Sequence, residues 1–91
     1  MTAHVIKRRS QHSEHFDPLK LHRSIVSACL AARAFEGEAH TIAERVCRNV
    51  IDWLHTKTEV TSADIRRVAS QYLRIYHDDA AYMYEQYRWI I

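Results

Sequence analysis

Apolar positions recur at helical spacing along most of the chain, with polar residues between them. Leu21, Ile25, Ala28 and Ala32 form one stripe with Cys29 beside it, which predicts a first helix from Pro18 to about Ala34. Ile42, Ala43, Val46, Val50, Trp53 and Leu54 mark a second, from about Glu38 to His55. Ile65, Val68, Ala69 and Tyr72 give the buried side of a third, reaching about Tyr76, and a fourth is expected from Ala80 to Ile90. The pattern ahead of Asp17 is different. His4–Arg9, with β-branched Val5 and Ile6, reads as a short strand; Ser10–Ser13 is polar and turn-like, and Glu14–Phe16 returns as a second strand.

The boundaries carry their own signals. Asp17-Pro18 combines a good N-cap with a proline suited to the first helical position. Phe35-Glu36-Gly37 is expected to break the first helix from the second. Thr56–Val60 is a connector whose Glu59-Val60 end can be extended. Thr61-Ser62-Ala63-Asp64 then offers hydroxyl caps with an acid in the first turn. In His77-Asp78-Asp79 either aspartate can cap the fourth helix. Short connections make successive helices antiparallel neighbours. An isolated hairpin does not persist in water and must lie across one end of the bundle.

The expected fold is therefore mainly α: a four-helix bundle capped by a short N-terminal β-hairpin, with a small three-stranded cap as a variant. One domain covers residues 1–91, divided into a hairpin lid at 3–16 and a helical bundle at 17–91. The N-terminus of the first helix is expected beside Lys7 and Arg8.

Composition narrows the class. Ninety-one residues, 47 % hydrophobic and 26 % charged, suit a soluble globular domain with one small core. One Gly and one Pro leave little material for long loops. No apolar run approaches the roughly 20 residues that span a bilayer, and no apolar stretch follows Lys7-Arg8-Arg9 as in a secretory signal. A cytoplasmic protein with no membrane partner is expected. Cys29 and Cys47 lie in apolar stripes and read as buried free thiols; a disulfide between them is not indicated, and no C-x-x-C spacing suggests zinc.

Charge is uneven. Residues 1–23 hold five basic and two acidic residues, the remainder eight and nine, for the overall +2. A basic edge on a nearly neutral body suits an anionic partner at one end, although a solvated charged segment has the same composition.

Val5-Ile6-Lys7-Arg8, Phe16-Asp17 and Lys20-Leu21-x-x-Ser24-Ile25 together resemble the opening of the ATP-cone domain. Thr61-Ser62-x-Asp64-Ile65 continues the likeness at the third helix. Ala80-Ala81-Tyr82 with Tyr87-Arg88 is similar to the family's A-x-x-Y-x-x-Y-R ending. Each piece alone is weak; the four in order are fairly specific and cover nearly the whole chain.

ATP-cones are regulatory domains of ribonucleotide reductases and of the repressor of reductase genes. The resemblance implies ATP or dATP as ligand, with or without magnesium, bound under the hairpin. It also implies output through oligomerisation or docking to a reductase or a transcriptional regulator. Lys7 and Arg8 match the pair that neutralises phosphates, a task suited to cationic donors; otherwise they are an ordinary charged edge strand. Val5 matches a position packing near the base. Glu14 and Asp17 match acceptors of the adenine amino group, with N-capping the equal alternative for Asp17. Lys20 matches a lysine near base and phosphates, or is a solvated helix residue. Ser62 and Arg66 match the sugar and phosphate contacts of the third helix; capping and a surface charge are their ordinary roles.

Two departures stand out. Arg9-Ser10 replaces the family's Asp-Gly turn and makes it one residue longer, and Ser adopts positive φ only at a cost. The 91 residues also have no room for a catalytic reductase domain or a zinc ribbon.

Other functions rank lower. A basic arm on a helical protein is compatible with DNA binding, but the third helix mixes Arg66, Arg67 and Arg74 with a core stripe. A cone that no longer binds nucleotide would act as an adaptor, with Trp89, Ile90 and Ile91 as a candidate surface for a protein partner or self-association. No catalytic constellation or Gly-rich phosphate loop is visible, so binding without turnover is expected.

Overall fold

The computed structural model describes residues 4–6 and 13–86, the first of these and 13–15 by their backbone. It is mainly helical. Helices α1 (Pro18–Ala31), α2 (Glu36–Leu54), α3 (Ser62–Tyr76) and α4 (Asp78–Gln86) pack around one core, with β1 (His4–Ile6), β2 (Ser13–His15) and β3 (Glu59–Thr61) as three-residue strands. The ladder runs β2-β1-β3, antiparallel between β1 and β2 and parallel between β1 and β3. Of the expected lid only these backbone segments are described, which is too little to establish a closed hairpin cap. Its turn, like the end of the expected fourth helix, lies outside the described residues.

The core is built from the stripes read in the sequence. Ile25, Leu54, Leu73, Val46 and Val50 are its largest fully enclosed aliphatic side chains. Ala28, Ala39, Ala43, Ala69, Ala80 and Ala81 are each 2 % exposed or less. Such small side chains let helix backbones approach closely, so larger residues fill the space between them. Trp53 and Tyr72, expected in the core, are half-buried against its edge.

The helix ends differ in detail from expectation. Asp17 caps α1 as read, its side chain accepting from the Leu19 and Lys20 amides. The helix stops at Ala31, three residues early, and Gly37 is not the breaker. Arg33 adopts φ 68°, with its N–H bonded to the Leu30 carbonyl at 2.9 Å and the Ala34 N–H to that of Cys29 at 3.0 Å. This is a Schellman end with a left-handed arginine where glycine is usual. Gly37 lies in the first turn of α2, which begins at Glu36.

At α3 the cap is Thr61: its hydroxyl accepts from the Asp64 amide at 3.1 Å while the Asp64 carboxylate accepts from the Thr61 amide at 3.1 Å. At α4 the cap is His77, whose Nδ1 accepts from the Ala80 amide at 3.1 Å. Asp78 and Asp79, expected as caps, stand in the first turn, where they complement the partly positive helix end.

Two outcomes follow for stability. Arg33→Gly relieves the left-handed backbone and raises stability by about 0.5–1 kcal/mol. Gly37→Ala, whose added Cβ meets nothing within 4 Å, gives a gain of similar size. Urea denaturation of each variant checks both; a loss for Arg33→Gly would mean that the arginine side chain holds the turn.

The capping box gives a pH signature. Asp64 is held below the usual carboxylate range, first by the Thr61 backbone N–H and then by the Thr61 hydroxyl. A lowered folded-state value stabilises the fold above the unfolded value of about 4, and that contribution is lost as pH falls through the folded value. Thr61→Ala is expected to cost about 1 kcal/mol at pH 7. Its deficit relative to the parent should shrink between pH 4 and pH 2, measured by parallel denaturant titrations.

Candidate functional site

The strand register decides which helix ends meet. Ile6 stands beside Thr61, where α3 begins, and His4 beside His15, three residues before the start of α1 at Pro18. The chain thus leaves the short ladder toward α1 and toward α3 at its opposite ends, and those ends are about 7 Å apart along the strands. Ile6, the last described residue before Lys7 and Arg8, adjoins the start of α3. Lys7 and Arg8 themselves lie outside the described residues. Val5 faces Glu14 on one side and Val60 on the other by backbone pairing, so two of the sequence candidates are cross-strand partners.

At the α1 end, Asp17 is exposed and uses one carboxylate oxygen, Oδ1, for the Leu19 amide at 3.0 Å and the Lys20 amide at 3.3 Å. Oδ2 has no partner among the described residues. Lys20 is exposed in the first turn, which holds no acidic residue, whereas the first turns of α2, α3 and α4 all do. A cation in this position opposes the helix dipole by about 0.3–1 kcal/mol.

At the α3 end, capping by Thr61 leaves the half-buried Ser62 hydroxyl without a hydrogen-bond partner among the described residues. Arg66, one turn on, is exposed and makes no ion pair with a described residue.

Arg66 opens onto a feature that the sequence reading missed. A cleft of about 300 Å³ runs between α3 and α4, lined by Arg66, Arg67, Ser70, Arg74, Tyr84 and Glu85 among others. Two of its arginines are compensated. Arg67 lies 3.6 Å from Asp64, and Arg74 bonds Asp78 at 2.8 Å and Glu85 at 2.7 Å. The Ser70 hydroxyl also donates to Glu85, and these bonds, Ser70 first, hold the Glu85 carboxyl below its ordinary range.

Tyr84 is only 4 % exposed, and burial pushes its hydroxyl pKa up against the opposing pull of Ser24 and Arg66. The signals existed in the sequence: Arg66, Ser70 and Arg74 are spaced four apart on one helix face, and Tyr84 falls in Ala81-x-x-Tyr84-x-x-Tyr87-Arg88.

Cys29 and Cys47 are free and buried, and burial pushes both thiols to about 11, leaving them protonated near neutral pH. Among the described residues no group of three or more His, Cys, Asp or Glu side chains gathers to hold a metal ion. No described helix is long and apolar enough to cross a membrane. Trp89, Ile90 and Ile91 lie outside the described residues.

A model of the ATP cone domain family matches residues 3–90, nearly the whole chain. No curated protein and no solved structure matches it. With a match of that extent over a four-helix fold, the chain belongs to the ATP cone domain family of nucleotide-binding regulatory modules.

Proposed function

We propose that this chain is a non-catalytic sensor that binds an adenine nucleotide, ATP or dATP, across the short ladder at the bundle end. The observation that carries the reading is the family match over residues 3–90, joined to a register that puts Ile6 beside the start of α3. On this reading the two ends of the ladder serve the two ends of the ligand. Glu14, Asp17 and Val5 serve the base, with Asp17 Oδ2 the acceptor for the adenine amino group while Oδ1 keeps the cap.

Lys7, Arg8, Ser62 and Arg66 serve sugar and phosphates, and Lys20 lies between. Two local features support that division. The Ser62 hydroxyl is released from capping by Thr61, and Lys20 tolerates an unfavourable place on its helix that an anion would make favourable. Magnesium, if it accompanies the nucleotide, is held by the phosphates and water rather than by these basic residues. Output through oligomerisation or through docking to a ribonucleotide reductase or a transcriptional regulator belongs to the same proposal, in a cytoplasmic setting.

Thermal unfolding with ATP, dATP, ADP, CTP and duplex DNA at two salt concentrations tests it. A nucleotide at a hundred times its Kd stabilises by about 2.7 kcal/mol, which for a domain of this size raises the melting point by about 10 °C or more. The expected result is such a rise with ATP or dATP and none with CTP. Lys7→Ala with Arg8→Ala should abolish it and leave the helical circular dichroism unchanged. Stabilisation by DNA alone, falling steeply with salt, would replace the nucleotide reading with nucleic-acid binding. No shift with any ligand would leave the adaptor reading.

A further inference from the structure

Helices α1 and α2 bring two histidines together. His22 Nε2 and His40 Nδ1 lie 3.3 Å apart, with ring centroids 5.5 Å apart and ring planes inclined at 36°. His22 is half-buried and His40 exposed. Neither ring has another hydrogen-bond partner among the described residues. The helices that carry them are fixed by the core: Leu21 and Ala39, the residues just before each histidine, are 6 % and 0 % exposed, and Ile25 and Ala43 are fully enclosed one turn on.

The contact is within hydrogen-bond range, one ring N–H donating to the other ring's nitrogen according to the tautomers. The same separation also matches a second geometry. Two imidazole nitrogens bound at about 2.0–2.1 Å to one tetrahedral ion stand roughly 3.3–3.4 Å apart. A cis pair on an octahedral ion at the same bond length would stand closer, about 3.0 Å. Neutral imidazole suits borderline late transition ions, whereas magnesium and calcium select oxygen. Glu36 and Glu44 lie one turn before and one turn after His40 on the same helix face, Glu44 in an exposed pair with Arg48 at 3.8 Å.

We propose that His22 and His40 form a preorganised two-histidine site for a divalent zinc-class ion, bound through His22 Nε2 and His40 Nδ1, with water in the remaining positions. Each ring keeps its other nitrogen protonated, and a small rotation of either ring turns its lone pair toward the ion. The site uses none of the residues proposed for the nucleotide: its ligands are His22 on α1 and His40 on α2.

Zinc chloride titrated into the full chain, followed by calorimetry and by long-range ¹H–¹⁵N spectra of the histidine rings, tests the assignment. The expected result is one ion per chain at this site, with the His22 Nε2 and His40 Nδ1 signals shifting together. His22→Gln and His40→Gln should each weaken binding at least about tenfold, the loss expected when one of two ligands is removed. His40 is exposed, so His40→Gln keeps the fold, which circular dichroism verifies. Either of two results would overturn the proposal: no zinc binding by the parent chain, or binding and ring shifts that persist in His40→Gln through histidines elsewhere. Nucleotide stabilisation in His40→Gln should equal that of the parent, which separates this outcome from failure of the nucleotide reading.

Discussion

Thr61 is the residue on which the bundle end depends. Its hydroxyl and its amide both bond Asp64, closing the capping box that starts α3, and it is also the residue of β3 beside Ile6. The same few atoms therefore fix where α3 begins and where the N-terminal segment rests against it. A shift of the α3 start by one residue would turn Ile65, Val68 and Leu73 out of the core by about 100°. The core and the cap thus specify one register between them. Ser62 is released by this arrangement, because a helix start needs one hydroxyl cap and Thr61 supplies it.

Helix packing follows from residue size. The alanines at 28, 39, 43, 69, 80 and 81 admit close backbone approach, and Ile25, Leu54 and Leu73 fill the remaining space. That stripe was legible because burial on one face imposes a 3.6-residue period on the sequence. Four helices and their order could be read from it, as could the Asp17 start; at α3 the Thr61-Ser62 pair marked the start but left open which hydroxyl caps, and it is Thr61 rather than Ser62. The ends that misled are those settled by tertiary context. Gly37 offered a breaker, yet the chain turns at Arg33, because Ala34 must return to bond the Cys29 carbonyl before α2 can pack. His77 displaced Asp78 as cap because its ring nitrogen reaches the Ala80 amide, a role for which histidine is an uncommon choice.

The candidate site was legible as a set of residue types and not as an arrangement. Asp17, Lys20, Ser62 and Arg66 were all singled out, but spacing along the chain does not say that Asp17 keeps one oxygen for its helix and leaves the other open. Nor does it show the α3–α4 cleft, which forms only when Tyr84 and Glu85 dock on Arg66, Ser70 and Arg74. Reading Arg66, Arg67 and Arg74 as mixed with a core stripe hid the face that Arg66 and Arg74 share with Ser70. The His22–His40 pair was invisible for the same reason: eighteen residues separate the two, and only helix packing brings them together.

The distribution of paired and unpaired charge then bears on where a nucleotide would draw its binding energy. Arg67 and Arg74 are neutralised by Asp64, Asp78 and Glu85 within 4 Å, and these pairs are all largely solvated. At physiological ionic strength charges are screened beyond about 8 Å, so the compensated arginines offer little net attraction to phosphates beyond the cleft. Arg66 has no such partner among the described residues, and it lines the same α3–α4 cleft as Tyr84. On the proposed reading the neutralising charge comes from Lys7, Arg8, Lys20 and Arg66. The network behind them, from Ser70 through Glu85 to Arg74, holds α4 against α3 and keeps Tyr84 in place. Compensated charges thus serve the scaffold, and uncompensated ones remain for the ligand.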